Sequence, residues 1–311
     1  MSKLSKKYYI LERRDMSRAY RLALMNAGYR KTVDPEAADF LLYDLEQDVY
    51  KPIIEDFARK GKPIFVYPHS ANSWYFWDGF HEEHPVTCNF VFTRDIKTAM
   101  VSYGYKSRIE PCGFPFAEVL PWRPMREKTL LFAPMHTMGL AGEDYLCPPA
   151  SFELNRTTLE RVIELAPLFK RITIRYGKTF YASGMYDPGI PNIHFEKAVL
   201  KNNDARRAIK ESGMVIAAGS LAYFAVAAGK PTIFFNQKGE TPREGNARVR
   251  HYNKYRFIDY PVQLADMSDN MIMEHALRIN QDVEKWKKEN IGSTFSAARF
   301  ISVIREYVKN D

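Results

Sequence analysis

One pattern constrains this chain more than any other. Short apolar runs of strand length alternate with segments of helical period along almost its whole length. Lys7–Glu12 is expected to be a strand, and Met16–Ala27 a helix closed by Gly28. Asp39–Tyr43 follows as a strand, Val49–Lys60 as a helix ending at Gly61, and Pro63–Tyr67 as a strand. Asn89–Thr93 is the next strand and Asp95–Tyr103 the helix after it. Apolar strands separated by helices of this length point to a parallel sheet covered on both faces.

The alternation stops once and then restarts. Residues 111–126 carry four prolines and little periodicity, which is a linker composition. Beyond them Thr129–Ala133, Arg171–Tyr176, Asn192–Phe195, Met214–Ala218 and Pro231–Phe235 are expected strands. Thr157–Phe169, Asp204–Glu211, Leu221–Ala228, Asn270–Lys288 and Ser293–Val308 are the expected helices. The fold class is therefore α/β, with two Rossmann-like parallel-sheet domains. The first spans 1–122 and the second 123–292. At 311 residues the chain exceeds one average core, and 46% hydrophobic residues suffice for two.

The most informative stretch is 204–235, in which a helix, a buried strand, a Gly-Ser turn, a helix, Gly-Lys-Pro and a buried strand follow in order. The turn at Gly219–Ser220 brings a helix N-terminus to the carboxyl edge of a parallel strand. Unbonded backbone N–H groups and the helix dipole suit a phosphate there, with Ser220 adding a hydroxyl. The competing reading has Ser220 simply N-capping its helix.

This stretch resembles the segment by which GT-B-fold glycosyltransferases, and the related CDP-glycerol glycerophosphotransferases, hold a donor diphosphate. Asp204, Gly219, Ser220, Gly229, Lys230 and Pro231 match its pattern. Residues 130–137 are similar to the strand-to-loop opening of the donor domain, 172–179 to its second strand, 66–72 to a strand-plus-His element and 111–116 to the linker entry. The resemblance implies donor contacts from Gly219, Ser220, Leu221 and Ala222, with His136, Arg175 and Lys178 neutralising the remaining charge. It implies that the two domains face a cleft, with a C-terminal helix at 293–311 crossing back to the first, and a nucleotide sugar, a UDP-sugar first, as donor, with no metal requirement. The chain departs from the pattern at Phe224, where many such enzymes carry a Glu that grips the donor ribose.

In the first domain His69 follows a strand of buried type, and its ordinary pKa near 6.5 suits a general base on an acceptor hydroxyl. It is equally readable as a loop histidine without a role. Asp78 and Asp44 are the substitutes. Trp74, Tyr75, Phe76 and Trp77 crowd one loop, where some would be exposed as a stacking wall for a sugar or base, or all buried as an anchor. Arg243, Arg248, Arg250, Lys254 and Arg256 interleave with aromatic residues and suit phosphate groups. Asp44, Glu46 and Asp48 are better explained as an acidic cap than as a metal site. His81 and His84 are best explained as part of a polar loop.

Other classes lose ground. There is no Asp-x-Asp, P-loop, GxGxxG or HExxH motif, and the three cysteines form no CxxC pair. No apolar run approaches the roughly 20 residues of a membrane span, and the first residues lack a signal-peptide core, so a cytoplasmic location is expected. The net charge of +8 favours polyanionic partners. The expected activity is glycosyl transfer to an acceptor hydroxyl. The best-fitting acceptor is a hydroxymethylated pyrimidine in double-stranded DNA, as in the phage DNA glycosyltransferases that share the GT-B fold. A CDP-glycerol-type or polymer transferase, or a non-catalytic nucleotide- or nucleic-acid-binding module, is the alternative.

Overall fold

The computed structural model describes residues 6–11, 18–44, 50–68, 86–102, 105–134, 149–176, 186–197, 204–235 and 260–308. They fall into two compact units. One holds 6–119 and 288–308; the other holds 120–235 and 260–287.

The first unit is built on six parallel strands: β1 (Lys7–Leu11), β2 (Arg30–Lys31), β3 (Phe40–Tyr43), β4 (Ile64–Val66), β5 (Cys88–Val91) and β6 (Arg108–Pro111). Their order is β2-β1-β3-β4-β5-β6. Strands β3, β4 and β5 are buried at every residue, as strands covered on both faces must be. Side chains alternate across the sheet, so Tyr8, Phe40, Phe65 and Phe90 share one face and one hydrophobic cluster. Helix α1 (Arg18–Asn26) adds Tyr20, Ala23 and Leu24 to that cluster. Helix α2 (Lys51–Arg59) packs against β3 and β4, and α3 (Arg94–Ser102) against β6.

The second unit carries five parallel strands: β7 (Thr129–Ala133), β8 (Arg171–Tyr176), β9 (Ile193–Lys197), β10 (Met214–Ala217) and β11 (Thr232–Phe234). Their order is β11-β10-β7-β8-β9. Helices α4 (Pro149–Glu164), α5 (Asp204–Glu211), α6 (Gly219–Ala227), α7 (Asp269–Leu277) and α8 (Gln281–Asn290) complete the order, α8 running past residue 287 into the first unit. Two 3-10 turns, Ala166–Leu168 and Leu264–Asp266, are interspersed.

Helix α9 (Ala297–Tyr307) belongs to the first unit, as expected. Ser296 caps it, its Oγ accepting from the Arg299 N–H at 3.3 Å. Phe300 is wholly buried, its ring 4.7 Å from Phe90 and 5.2 Å from Tyr20. Arg299 Nε donates to the Glu110 carboxylate at 2.6 Å, and Arg108 pairs with both Glu110 and Glu306.

The sequence reading and the fold differ in four places. Strands β2 and β6 were not anticipated, β6 lying beside the proline-rich stretch. Helix α4 begins at Pro149 rather than Thr157. The single helix expected over 270–288 is two, divided at Asn280, whose side chain accepts from the Asp282 and Val283 N–H groups. The last helix starts at Ala297, four residues beyond the expected start at Ser293, with Ser296 as its cap.

Candidate nucleotide site at the strand reversal of the second unit

In the second unit the chain lays β8 and β9 on one side of β7, then returns to place β10 and β11 on the other. The strand order therefore reverses between β7 and β10, and α/β sheets bind ligands at such a point. Register fixes the level of this edge. Ala133 pairs with Ala217, and Phe132 with Ile174, so Arg175 follows at the height of Ala133.

Helix α6 starts at this edge. Ala218 is its N-cap, in extended conformation with φ −120° and ψ 165°, and the alanine side chain supplies no cap of its own. Ser220 is thus inside the first turn, and the N-capping alternative does not hold. The first turn also lacks an acidic residue. Its leading N–H groups have no intrahelical acceptor, and the dipole leaves them electropositive. Gly219 has φ 59°, a left-handed value that a side chain resists, although a Cβ there would meet nothing within 4 Å. Glycine is required by the turn itself rather than by crowding. Ala218, Gly219, Ser220 and Leu221 are half-buried, and Ala222 is buried.

Arg175 is the last residue but one of β8, on the same edge, and is 5% exposed. A guanidinium stays charged at all ordinary pH and offers up to five donors. His136 and Lys178 follow the ends of β7 and β8 by three and two residues, but both lie outside the described residues.

The Gly-Lys-Pro at the other end of α6 has a different task. A Cβ on Gly229 would lie 2.0 Å from the Pro121 carbonyl oxygen, and Gly229 also has φ 72°. The Leu120 N–H donates to the Ala227 carbonyl at 2.7 Å and the Arg123 N–H to that of Gly229 at 2.8 Å. Lys230 Nζ donates to the carbonyls of Lys210 and Ser212 at the end of α5. Burial, with Arg123 nearby, holds its pKa below the usual lysine value. These residues of the matched segment bind the incoming chain, not a ligand.

In the first unit the strand reversal lies between β1 and β3. Asp44 directly follows β3 and is 0% exposed, so no substrate reaches its carboxylate without movement. The Tyr67 N–H donates to the Tyr43 carbonyl at 3.0 Å, which delivers the chain leading to His69 to the same edge. Tyr67 itself, buried and 4.7 Å ring-to-ring from Tyr20, was passed over in the sequence; its signal was its place as the last residue of the run 63–67. His69, Asp78, Trp74, Tyr75, Trp77, Arg243, Arg248, Arg250 and Lys254 all lie outside the described residues.

Two thiols are inert. Burial pushes Cys88 up to about 12 and raises Cys112 as well. Among the described residues no group of three or more His, Cys, Asp or Glu side chains is placed to hold a metal ion. Among the described residues no helix is long and apolar enough to cross a membrane.

No family model matches the sequence, and no curated protein matches it either. Solved structures do. A putative UDP-N-acetylglucosamine 2-epimerase from Listeria monocytogenes is similar with TM-score 0.61 and 13% identity, over 98% of this chain and 97% of that one. The glycotransferase of kitacinnamycin is similar with TM-score 0.55 and 11% identity, over 98% and 100%. A UDP-GlcNAc 2-epimerase from Neisseria meningitidis, bound to UDP-GlcNAc, gives TM-score 0.54 and 11% identity over 97% and 100%. At these identities the likeness shows the fold: the chain has the GT-B fold, with two Rossmann-like units.

Proposed function

We propose that this chain is a glycosyltransferase that takes its sugar from a nucleotide sugar, a UDP-sugar first, held at the carboxyl edge of the second unit. The observation that carries the reading is the start of α6 at the β7/β10 reversal, in a fold shared with proteins whose solved structures hold UDP-GlcNAc or UDP. Ser220, the N–H groups of 219–222 and Arg175 would bind the diphosphate, with His136 and Lys178 completing its neutralisation. In the transfer, the acceptor oxygen bonds to the anomeric carbon as the bond from that carbon to the diphosphate breaks. The hydroxyl proton passes to a base in the first unit, His69 in this reading, and the nucleoside diphosphate leaves against the positive helix end.

For the acceptor we propose a hydroxymethylated pyrimidine in double-stranded DNA. Support comes from the net charge of +8, the Arg243–Lys254 cluster and the Trp74–Trp77 stretch, which would stack on a base turned out of the duplex. A second reading, nucleotide-sugar epimerisation, is favoured by the likeness to the two epimerase structures and uses the same donor site. A thermal-shift panel of UDP, GDP, CDP and CMP, followed by product analysis with and without acceptor, separates them. Strong stabilisation by one diphosphate and sugar transfer to hydroxymethylcytosine-containing duplex, with binding that weakens steeply in salt, is the expected result. An epimerised donor sugar without any acceptor overturns the transferase. Transfer to a phosphopolymer but not to DNA overturns the acceptor alone.

A further inference from the structure

Helix α1 buries Tyr20, Ala23 and Leu24 in the hydrophobic cluster of the first unit, yet leaves Leu22 45% and Met25 60% exposed on its outer side. Two large apolar side chains three residues apart share one stripe of a helix. Each has an arginine four residues before it, Arg18 ahead of Leu22 and Arg21 ahead of Met25, and the helix sequence RAYRLALMN contains no carboxylate. More cations border the stripe. Helix α9 packs beside α1, and its Arg305 lies against the Tyr29 hydroxyl, just past the end of α1. Strand β2 also adjoins α1. Its Lys31 pairs in register with Tyr8, so the exposed lysine side chain leaves the sheet on the face that α1 covers. The outer side of α1 is thus an apolar ridge with arginine or lysine from three elements around it.

We infer that this surface is a docking face for a membrane of anionic lipid, Leu22 and Met25 entering the interfacial layer while Arg18, Arg21, Lys31 and Arg305 meet lipid phosphates. The combination of groups selects the occupant. Nucleic acid would neutralise the cations and leave both apolar side chains in water. A second copy would bring the same cations against one another, because a two-fold interface matches a patch with itself. A ridge offers no groove in which a peptide helix could lie. A bilayer surface answers both halves: the guanidinium groups stay at the phosphates while the apolar tips reach the acyl boundary. Two apolar side chains and a few charges give weak, reversible attachment that falls with salt, not insertion. Such docking is independent of the donor site at α6.

The full chain is sedimented with vesicles of phosphatidylcholine alone and with vesicles containing an equal part of phosphatidylglycerol, at low and at physiological ionic strength. Binding is expected to the anionic vesicles only, and to weaken as salt rises. A double variant, Leu22→Gln with Met25→Gln, keeps the net charge and places a good helix former at both positions. It should lose about tenfold or more in affinity at an unchanged melting temperature. Met25→Gln alone should lose about threefold, and stands in for the double variant if that does not fold. Arg18→Gln should lose about fivefold. Val101→Ser removes a 54% exposed apolar side chain from α3 and should leave vesicle affinity unchanged. Absent binding, binding that the glutamine variants retain, or an equal loss in Val101→Ser overturns the inference. Loss of duplex DNA binding in the glutamine variants to the same extent as vesicle binding assigns the surface to nucleic acid and overturns it too.

Discussion

Ala133 and Ala217 face each other as the last paired residues of β7 and β10, and α6 begins two residues beyond Ala217. That pairing sets the helix start level with the end of β7 and with Arg175. Ser220→Ala is expected to weaken binding of the cognate nucleoside diphosphate by about 0.5–1.5 kcal/mol, the net worth of one hydrogen bond. Arg175→Ala should cost about twice as much, since charge-assisted bonds are stronger. Calorimetric titration checks both, with melting curves confirming that the variants fold.

The two glycines that bracket α6 should respond differently to alanine. Gly219→Ala meets no atom within 4 Å but must hold φ 59°, so it should cost about 1–2 kcal/mol and reduce donor affinity. Gly229→Ala combines φ 72° with a 2.0 Å approach to the Pro121 carbonyl and should lower the melting temperature much further. Equal melting temperatures would contradict this account.

Burial sets Asp44 apart among the candidate bases. His69→Ala is expected to lower turnover by about 10²–10⁴-fold with donor affinity nearly unchanged. Asp44, wholly buried, should not be the proton acceptor; Asp44→Asn should reduce stability and leave a measurable rate in the folded fraction. Steady-state kinetics beside thermal melts distinguish the two. Near-normal turnover in the His69 variant would transfer the role.

Glu110 is 6% exposed and paired with Arg299 and Arg108. Arg299→Ala removes the 2.6 Å bond and leaves Arg108, so a loss of about 1–3 kcal/mol is expected in denaturant unfolding. Glu110→Gln should recover part of it in the Arg299→Ala background, because a neutral amide is less costly to bury.

His275 is buried with Nε2 3.0 Å from the Thr232 carbonyl. A carbonyl only accepts, so Nε2 carries the proton in the neutral ring. Burial holds the pKa below its ordinary value, the bond to Thr232 acting the other way. Below about pH 6.5 the unfolded chain takes up a proton that the folded ring resists, so stability falls as pH drops through that value. The melting temperature should decline between about pH 7 and pH 5.5, and less so in His275→Gln.

Where local pattern was strong, the sequence reading and the fold coincide. Thr129–Ala133, Arg171–Tyr176 and Asp204–Glu211 were placed to the residue, because each is a clear strand or helix period bounded by a breaker. Strand β6 escaped because Arg108 and Glu110 look like loop residues until Arg299, 189 positions away, neutralises Glu110. The first half of α4 escaped because Asn155, a polar residue, is 0% exposed there and interrupts the apolar period. The Gly-Ser turn was legible, since glycine at Gly219 answers a backbone demand. The task of Gly229 and Lys230 was not, because Pro121 and Ser212 meet them only in three dimensions.

The packing of Phe300 between Tyr20 and Phe90 also sets an order of events during synthesis. The second unit has all of its strands and helices through residue 277 before α9 is made, and can close while the chain is still growing. The first unit, though translated earlier, must wait: its sheet face keeps Tyr20 and Phe90 uncovered until residues 296–308 emerge. The earlier-made half of this molecule is thus the later to mature, and a ribosome stalled ahead of Ser296 would display an aromatic face open to chaperones or to self-association.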